Sequence, residues 1–167
     1  MMANKQDAPG SEMRMRVAAA VDRPHLIRLI NAAFSVETFL EGTRTDHRRL
    51  AAMMTKGCIL VAEDGEGRLL ASVYVERRGK RGYLGMLAVD PARQREGLGR
   101  RMVEAAENRF RRQGCEAVDI TVLNLRTELP PLYRRLGYAE IGTEAFKTSQ
   151  TLRPGMKCHC IVMSKQL

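Results

Sequence analysis

Hydrophobic and polar positions along the chain follow two rhythms, one near two residues and one near 3.6, and the switches between them mark out the elements. Alternation over residues 13–20 predicts a first strand. Leu26, Ile27, Leu29, Ile30, Ala33 and Phe34 recur at helical spacing, with Asp22 as the expected N-cap and Pro24 in the first turn. Residues 35–42 read as a loop, and residues 43–56 as a second helix with Gly57 placed to cap it. Strand patterns follow at 58–63, 68–77 and 83–89, separated by turns at Asp64-Gly65-Glu66-Gly67 and at 79–82. Asp90-Pro91 stops the third of these strands, since proline cannot continue a ladder. Residues 98–113 place Leu98, Met102, Val103, Ala106 and Phe110 on one face, and Arg100, Arg101, Glu104, Arg111 and Arg112 largely on the other. Gly114 ends that helix. A strand at 117–123, a short helix at 128–136 and two strands at 138–146 and 156–164 complete the chain. The order β-α-α-β-β-β-α-β-α-β-β predicts an α/β protein without internal repeats.

Composition narrows this picture. With 167 residues, 44% hydrophobic and 28% charged, the chain is of ordinary globular make-up and sized for one domain. Residues 1–12, which include Pro9 and Gly10, read as a disordered lead-in. Residues 13–167 read as one domain, with a core that needs neither metal nor disulfide. The most apolar stretch, Leu69 to Val75, falls far short of the roughly 18–20 residues a membrane span needs. Lys and Arg total 28 against 19 Asp and Glu, a net charge of +9 that favours anionic partners. The four cysteines sit mostly in apolar or strand-like stretches. Strand alternation sends Cys158 and Cys160 to one face and His159 to the other, and no second ligand pair has zinc-site spacing, so no metal is expected. Reduced thiols and a polar first dozen residues without an apolar leader core fit a cytoplasmic protein.

Residues 84–100 carry the chemistry. A strand ending in Leu87-Ala88-Val89 leads through a basic turn, Gln94-Arg95-Glu96-Gly97-Leu98-Gly99, into the amphipathic helix at Arg100. The first amides of a helix have no internal partner, glycines let a ligand approach the main chain, and the positive helix end favours phosphate. Arg93, Arg95, Arg100 and Arg101 add charge, and Glu96 is spaced to pair with Arg100. The P-loop lysine is absent, and Met102 stands where a dinucleotide fingerprint has its third glycine. A plain loop before a helix is the competing reading.

Gln94-Arg95-Glu96-Gly97-Leu98-Gly99 is similar to the Gln/Arg-x-x-Gly-x-Gly/Ala signature of the GNAT family of N-acetyltransferases. Asn124 followed by Leu132-Tyr133-Arg134-Arg135-Leu136-Gly137-Tyr138 resembles that family's second block. The resemblance implies a bent mixed sheet of about seven strands with helices on both faces, and acetyl-CoA held where two central strands splay. It further implies that the backbone of Leu87, Ala88 and Val89 pairs with the pantetheine arm. The loop of Gln94, Arg95, Glu96, Gly97, Leu98, Gly99 and Arg100 would wrap the pyrophosphate, and Asn124 would lie beside the pantetheine. Glu128-Leu129-Pro130-Pro131 departs from the commonest spacing, and Arg126 competes with Asn124 for that place.

Acyl transfer from a thioester to an amine expels a thiolate. Tyr133 is the expected general acid, because a phenol with a pKa near about 10 is protonated at neutral pH and can protonate the departing sulfur. Packing beside Leu132 and Leu136 is its competing role. A general base is less evident: Asp119 lies early in its strand, and Glu37, Glu41 or a water chain remain candidates. Phe34 and Glu37 in the first interhelical loop, facing residues 146–155, are the expected acceptor wall. Glu37 and Glu41 suit a cationic amine; Lys147 and Arg153 suit an acidic one. The acceptor is therefore a primary amine on a small molecule or peptide. A catalytically silent acetyl-CoA-binding protein and a basic nucleic-acid-binding module are the alternatives. The latter is disfavoured by 5% aromatic content and by arginines interleaved with glutamates. A homodimer through the terminal strands is compatible with the resemblance.

Overall fold

The computed structural model describes residues 12–167, so the expected lead-in lies almost wholly outside the described residues. Seven strands form one sheet: β1 (Arg14–Val17), β2 (Cys58–Glu63), β3 (Leu69–Arg78), β4 (Arg81–Val89), β5 (Ala117–Leu123), β6 (Ala139–Ala145) and β7 (His159–Gln166). The spatial order is β1-β2-β3-β4-β5-β7-β6. Every neighbouring pair is antiparallel except β4 and β5, whose crossover carries the longest helix. The helices are α1 (Arg23–Ala33), α2 (His47–Lys56), α3 (Leu98–Arg112) and α4 (Leu129–Arg135).

Both faces of the sheet are covered, as the alternation along the strands requires. Val73, Val75, Leu84, Val118 and Ile120 meet the α3 stripe of Leu98, Met102, Val103, Ala106 and Phe110. On the other face Ile59, Val61, Tyr74 and Ala88 pack under Leu26, Leu29 and Ile30 of α1 and Leu50 of α2.

Several expected boundaries move. The first strand is shorter than residues 13–20, and the chain turns through a 3-10 segment at Ala20–Asp22 before α1. Asp22 does not cap α1 with its side chain. Its carboxylate accepts from the Ala19 amide at 2.7 Å and pairs with Arg16, also at 2.7 Å. The second helix starts at His47, because Asp46 accepts from the Arg49 amide at 2.8 Å and caps it there. Gly57 does follow α2, yet its φ of −147° is extended. Glycine is needed because a Cβ would lie 2.3 Å from the Val75 carbonyl. The β3–β4 turn is tighter than residues 79–82, since Arg78 already pairs with Arg81. The last strand begins three residues later than expected and runs to Gln166.

Candidate active site

The parallel pairing of β4 and β5 runs from Arg81–Ala117 to Leu84–Ile120 and stops. Beyond it β4 stays bound to β3, through Ser72–Ala88 and Ala71–Val89, while β5 stays bound to β7 as far as Leu123–Cys160. The two strands therefore part, and each keeps an unpaired edge facing the gap. A bulge produces the divergence. Ser72 pairs with Ala88 and Tyr74 with Gly85, so β4 spends one residue more than β3 over the same stretch. Met86, inside that surplus, takes a φ of 47°. Leu87 and Val89 pack toward α3, and Ala88 toward α1.

The gap leads into the glycine-containing turn. Asp90 accepts from the Ala92 amide at 2.9 Å and starts a 3-10 turn, Pro91–Arg93. Arg95 and Gly97 then take left-handed φ values of 70° and 76°. That pair of conformations turns successive amides to one side, a concavity suited to an anion. The first intrahelical bond of α3 runs from the Arg101 amide to the Gly97 carbonyl at 3.1 Å. The amides of Leu98, Gly99 and Arg100 precede it and are free of helix partners. A Cβ on Gly99 would touch Leu87 and Val89 at an ordinary 3.8 Å, so the protein itself does not demand glycine there. Gln94, Arg95, Glu96 and Arg100 are exposed around the turn. Glu96 does not pair with Arg100 as its spacing suggested. It faces Arg93 at 3.6 Å, and Arg100 turns to Glu104 at 2.9 Å, one helical turn further on.

Tyr133 lies in α4 and is 5% exposed, its ring edge-on to Tyr138 with centroids 5.7 Å apart. Pro130 and Pro131 occupy the first turn of α4, where their missing amides cost nothing. Burial pushes the Tyr133 phenol up to about 12, partly opposed by the Arg126 guanidinium. The Tyr138 hydroxyl donates to Glu107 Oε1 at 3.0 Å, and Glu107 also accepts from Lys165 Nζ at 3.0 Å. Tyr83, which the sequence reading missed, sits in β4 opposite Asp119 of β5 with its ring under Arg78 at 4.0 Å, and burial raises its phenol as well.

Asn124 lies just past the end of β5. Its Oδ1 accepts from the His159 amide at 2.8 Å, and its own amide donates to the His159 carbonyl at 3.0 Å. It thus joins the mouth of β5 to β7. Arg126 turns elsewhere, donating to Glu37 Oε2 at 3.0 Å and to Glu128 Oε1 at 2.6 Å.

Glu37 is the main surprise. In the loop between α1 and α2 it is only 7% exposed, with Arg126 on one oxygen and Arg44 3.8 Å from the other, Oε1, which has no hydrogen-bond partner. Arg44 also lies over the Phe34 ring at 4.9 Å. No sequence pattern links Glu37 to Arg126 across 89 positions. Glu41 is exposed. Asp119 is bound to Arg81 at 2.6 Å, which takes it out of the search for a base.

The two segments expected to form an acceptor wall are brought together. Leu40 bridges to Leu152, the Glu41 amide donates to the Thr151 carbonyl at 2.8 Å, and Arg153 Nε donates to the Thr38 carbonyl at 2.7 Å. Cys158 and Cys160 pack with Leu40 and Leu123 beneath this wall, and His159 is exposed. A further cavity of about 370 Å3 lies between α1, the β2–β3 turn and the Pro91–Arg93 turn. Among the described residues no helix is long and apolar enough to cross a membrane.

Comparison with known proteins agrees with this geometry. Residues 24–138 match the acetyltransferase (GNAT) family. The chain is 35% identical over 108 residues to glucosamine 6-phosphate N-acetyltransferase 1 of Oryza sativa subsp. japonica, covering 60% of this chain and 64% of that protein. It is 32% identical over 87 residues to mycothiol acetyltransferase of Beutenbergia cavernae, covering 52% of this chain and 29% of that protein. In each case the match spans less than two thirds of the relative. Among solved structures, the ribosomal-protein-S18-alanine N-acetyltransferase of Escherichia coli superimposes with a TM-score of 0.74 at 18% identity, over 93% of this chain and 94% of that one. The Salmonella typhimurium protein yncA, solved with its cofactor acetyl-CoA, has a TM-score of 0.71 at 20% identity, over 92% and 93%. With more than half its length matched and its sheet shared across these structures, the chain belongs to the GNAT family of acetyltransferases.

Proposed function

We propose that the protein transfers the acetyl group of acetyl-CoA to a primary amine by direct attack, with both substrates bound together. The observation that carries this reading is the continuity of two features. An unpaired strand edge at Leu87–Val89 runs directly into a turn whose amides converge beside the N-terminus of α3. A pantetheine arm carries amides that can add to a strand edge, and a diphosphate matches the helix amides. That nothing within the protein demands glycine at position 99 supports the fit.

Bound acetyl-CoA supplies an activated thioester. The chain supplies the rest. The amine nitrogen bonds to the acetyl carbon, the carbon–sulfur bond breaks, and Tyr133 gives its phenolic proton to the leaving sulfur. A backbone amide near Ala88 stabilises charge on the acetyl oxygen. The amine loses its proton to water, because Asp119 is held by Arg81 and Glu37 by Arg126. Phe34, Glu37 and residues 146–155 form the acceptor wall. Asn124 fastens β5 to β7 beside the pantetheine path.

Calorimetry with acetyl-CoA, paired with a thiol-release assay across an amine panel, tests the reading. Expected are stoichiometric acetyl-CoA binding and amine-dependent thiol release. Binding without release for any amine leaves the silent-binder alternative, and salt-sensitive binding of a DNA duplex in place of acetyl-CoA overturns the assignment.

The reading extends to a homodimer. β6 ends the sheet and is exposed along its whole length, with Ile141 62% exposed, an edge open to pairing with a second copy. Light scattering is expected to give twice the chain mass; the monomer mass removes this part.

A further inference from the structure

We infer that the acceptor carries an anionic group, a carboxylate or a phosphate, beside its amine. This rests on the acetyl-transfer reading above. A cavity of about 110 Å3 lies beside the β4 bulge and is lined by Arg44, Thr45, Arg49, Met86, Lys147 and Thr148 among others. Three cations and several hydroxyls line it, and no carboxylate does.

The acids nearby are already engaged. Glu37 is held by Arg126 at 3.0 Å, and Glu128 holds the other edge of the same guanidinium. Asp46 caps α2 and faces Arg49 at 3.6 Å. Arg49 is fixed in the wall by donating to the Thr43 and Ser149 carbonyls, each at 3.2 Å. Arg44 approaches Glu37 only to 3.8 Å, beyond hydrogen-bond reach, so its N–H groups can serve another acceptor. Lys147 is exposed at the rim.

A cationic group entering here would meet three like charges. An oxyanion would meet charge-assisted donors from Arg44 and Lys147, with the Arg49 guanidinium fixed beside them. The size suits one small oxyanion. Met86 belongs to the bulge that opens the β4–β5 gap, so an acceptor anchored here presents its amine at the gap. The choice between a cationic and an acidic acceptor, open in the sequence, thereby falls to the acidic one: of the two carboxylates that suggested a cation, Glu37 is held by Arg126, and neither Glu37 nor Glu41 lines the recess.

The test compares matched acceptors on the protein saturated with acetyl-CoA: amino acids against their amides, and an aminoalkyl phosphate against the parent amino alcohol. The anionic member is expected to be preferred at least about tenfold in kcat/KM, and Lys147→Glu to erase that preference by raising its KM. Where turnover is too slow to rank, calorimetric titration of the same pairs makes the same comparison. The pair with the larger preference distinguishes carboxylate from phosphate. Equal use or binding of charged and neutral members, or a Lys147→Glu effect that falls on both alike, overturns the inference and leaves acetyl transfer standing. Absence of acetyl-CoA binding overturns both.

Discussion

Tyr133 owes its proposed role to where burial puts its proton. The unfolded phenol ionises near about 10, and in the fold the same group is pushed up to about 12. It is therefore protonated throughout the range in which an amine gives up its own proton, and remains a donor there. Tyr133→Phe is expected to lower kcat by about 10²–10⁴-fold with the acetyl-CoA Kd unchanged, as read by steady-state kinetics beside calorimetry. An unchanged kcat removes the role. The linkage runs the same way: because the folded phenol holds its proton more tightly, its contribution to stability is complete below about pH 10 and falls as pH climbs toward 12. Tyr133 was legible in the sequence as part of a block. The burial of Glu37 was not, because an isolated loop carboxylate looks solvated until the partner guanidinium arrives from the far end of β5. Tyr83 was equally hidden, since strand alternation says which face a residue takes and not that Arg78 will lie over its ring.

Turns and caps decide how the elements meet the ligand. The two glycines of the α3 turn separate cleanly. Gly97 holds a φ of 76°, where a Cβ strains the backbone, so Gly97→Ala is expected to cost about 1–2 kcal/mol in denaturant unfolding. Gly99 is helical and a Cβ there would meet Leu87 and Val89 only at an ordinary 3.8 Å, so Gly99→Ala is expected to keep or slightly raise stability while weakening acetyl-CoA binding by about tenfold or more. Equal losses of stability in the two variants contradict this division. At the other end of the sheet, Asp22 is held well below the usual carboxylate range, first by the Arg16 guanidinium and then by the Ala19 amide, against the opposing effect of burial. A lowered folded pKa stabilises above the unfolded value near about 3.9 and is lost as pH falls through it. Asp22→Asn is expected to cost about 1–3 kcal/mol at neutral pH, a difference that shrinks as pH falls below the unfolded value and through the lowered folded one. Thermal melts across that range check it. The sequence placed Asp22 beside the start of α1 correctly, and misassigned its partner because a cap and a strand–helix clasp use the same residue type.

At the scale of the molecule, the sheet is held together behind the site by Glu107, which is 3% exposed and joins α3 to Tyr138 and to Lys165 of β7. Glu107→Ala strands a partly buried lysine and a tyrosine hydroxyl, and is expected to cost about 3 kcal/mol in unfolding free energy. A loss within experimental error would mean that water replaces the carboxylate. Periodicity, glycine and proline placement and the two motif blocks were enough to place all seven strands and four helices in order, because each depends on neighbours within a few residues. They also located the glycine-containing turn before α3, whose proposed phosphate chemistry is made by consecutive amides. The register at which β4 leaves β5, the Glu37–Arg126 pair and the cationic recess beside Met86 came only with the tertiary structure. Each depends on register between strands or on charges far apart in the chain, and such contacts leave no local trace in the order of residues.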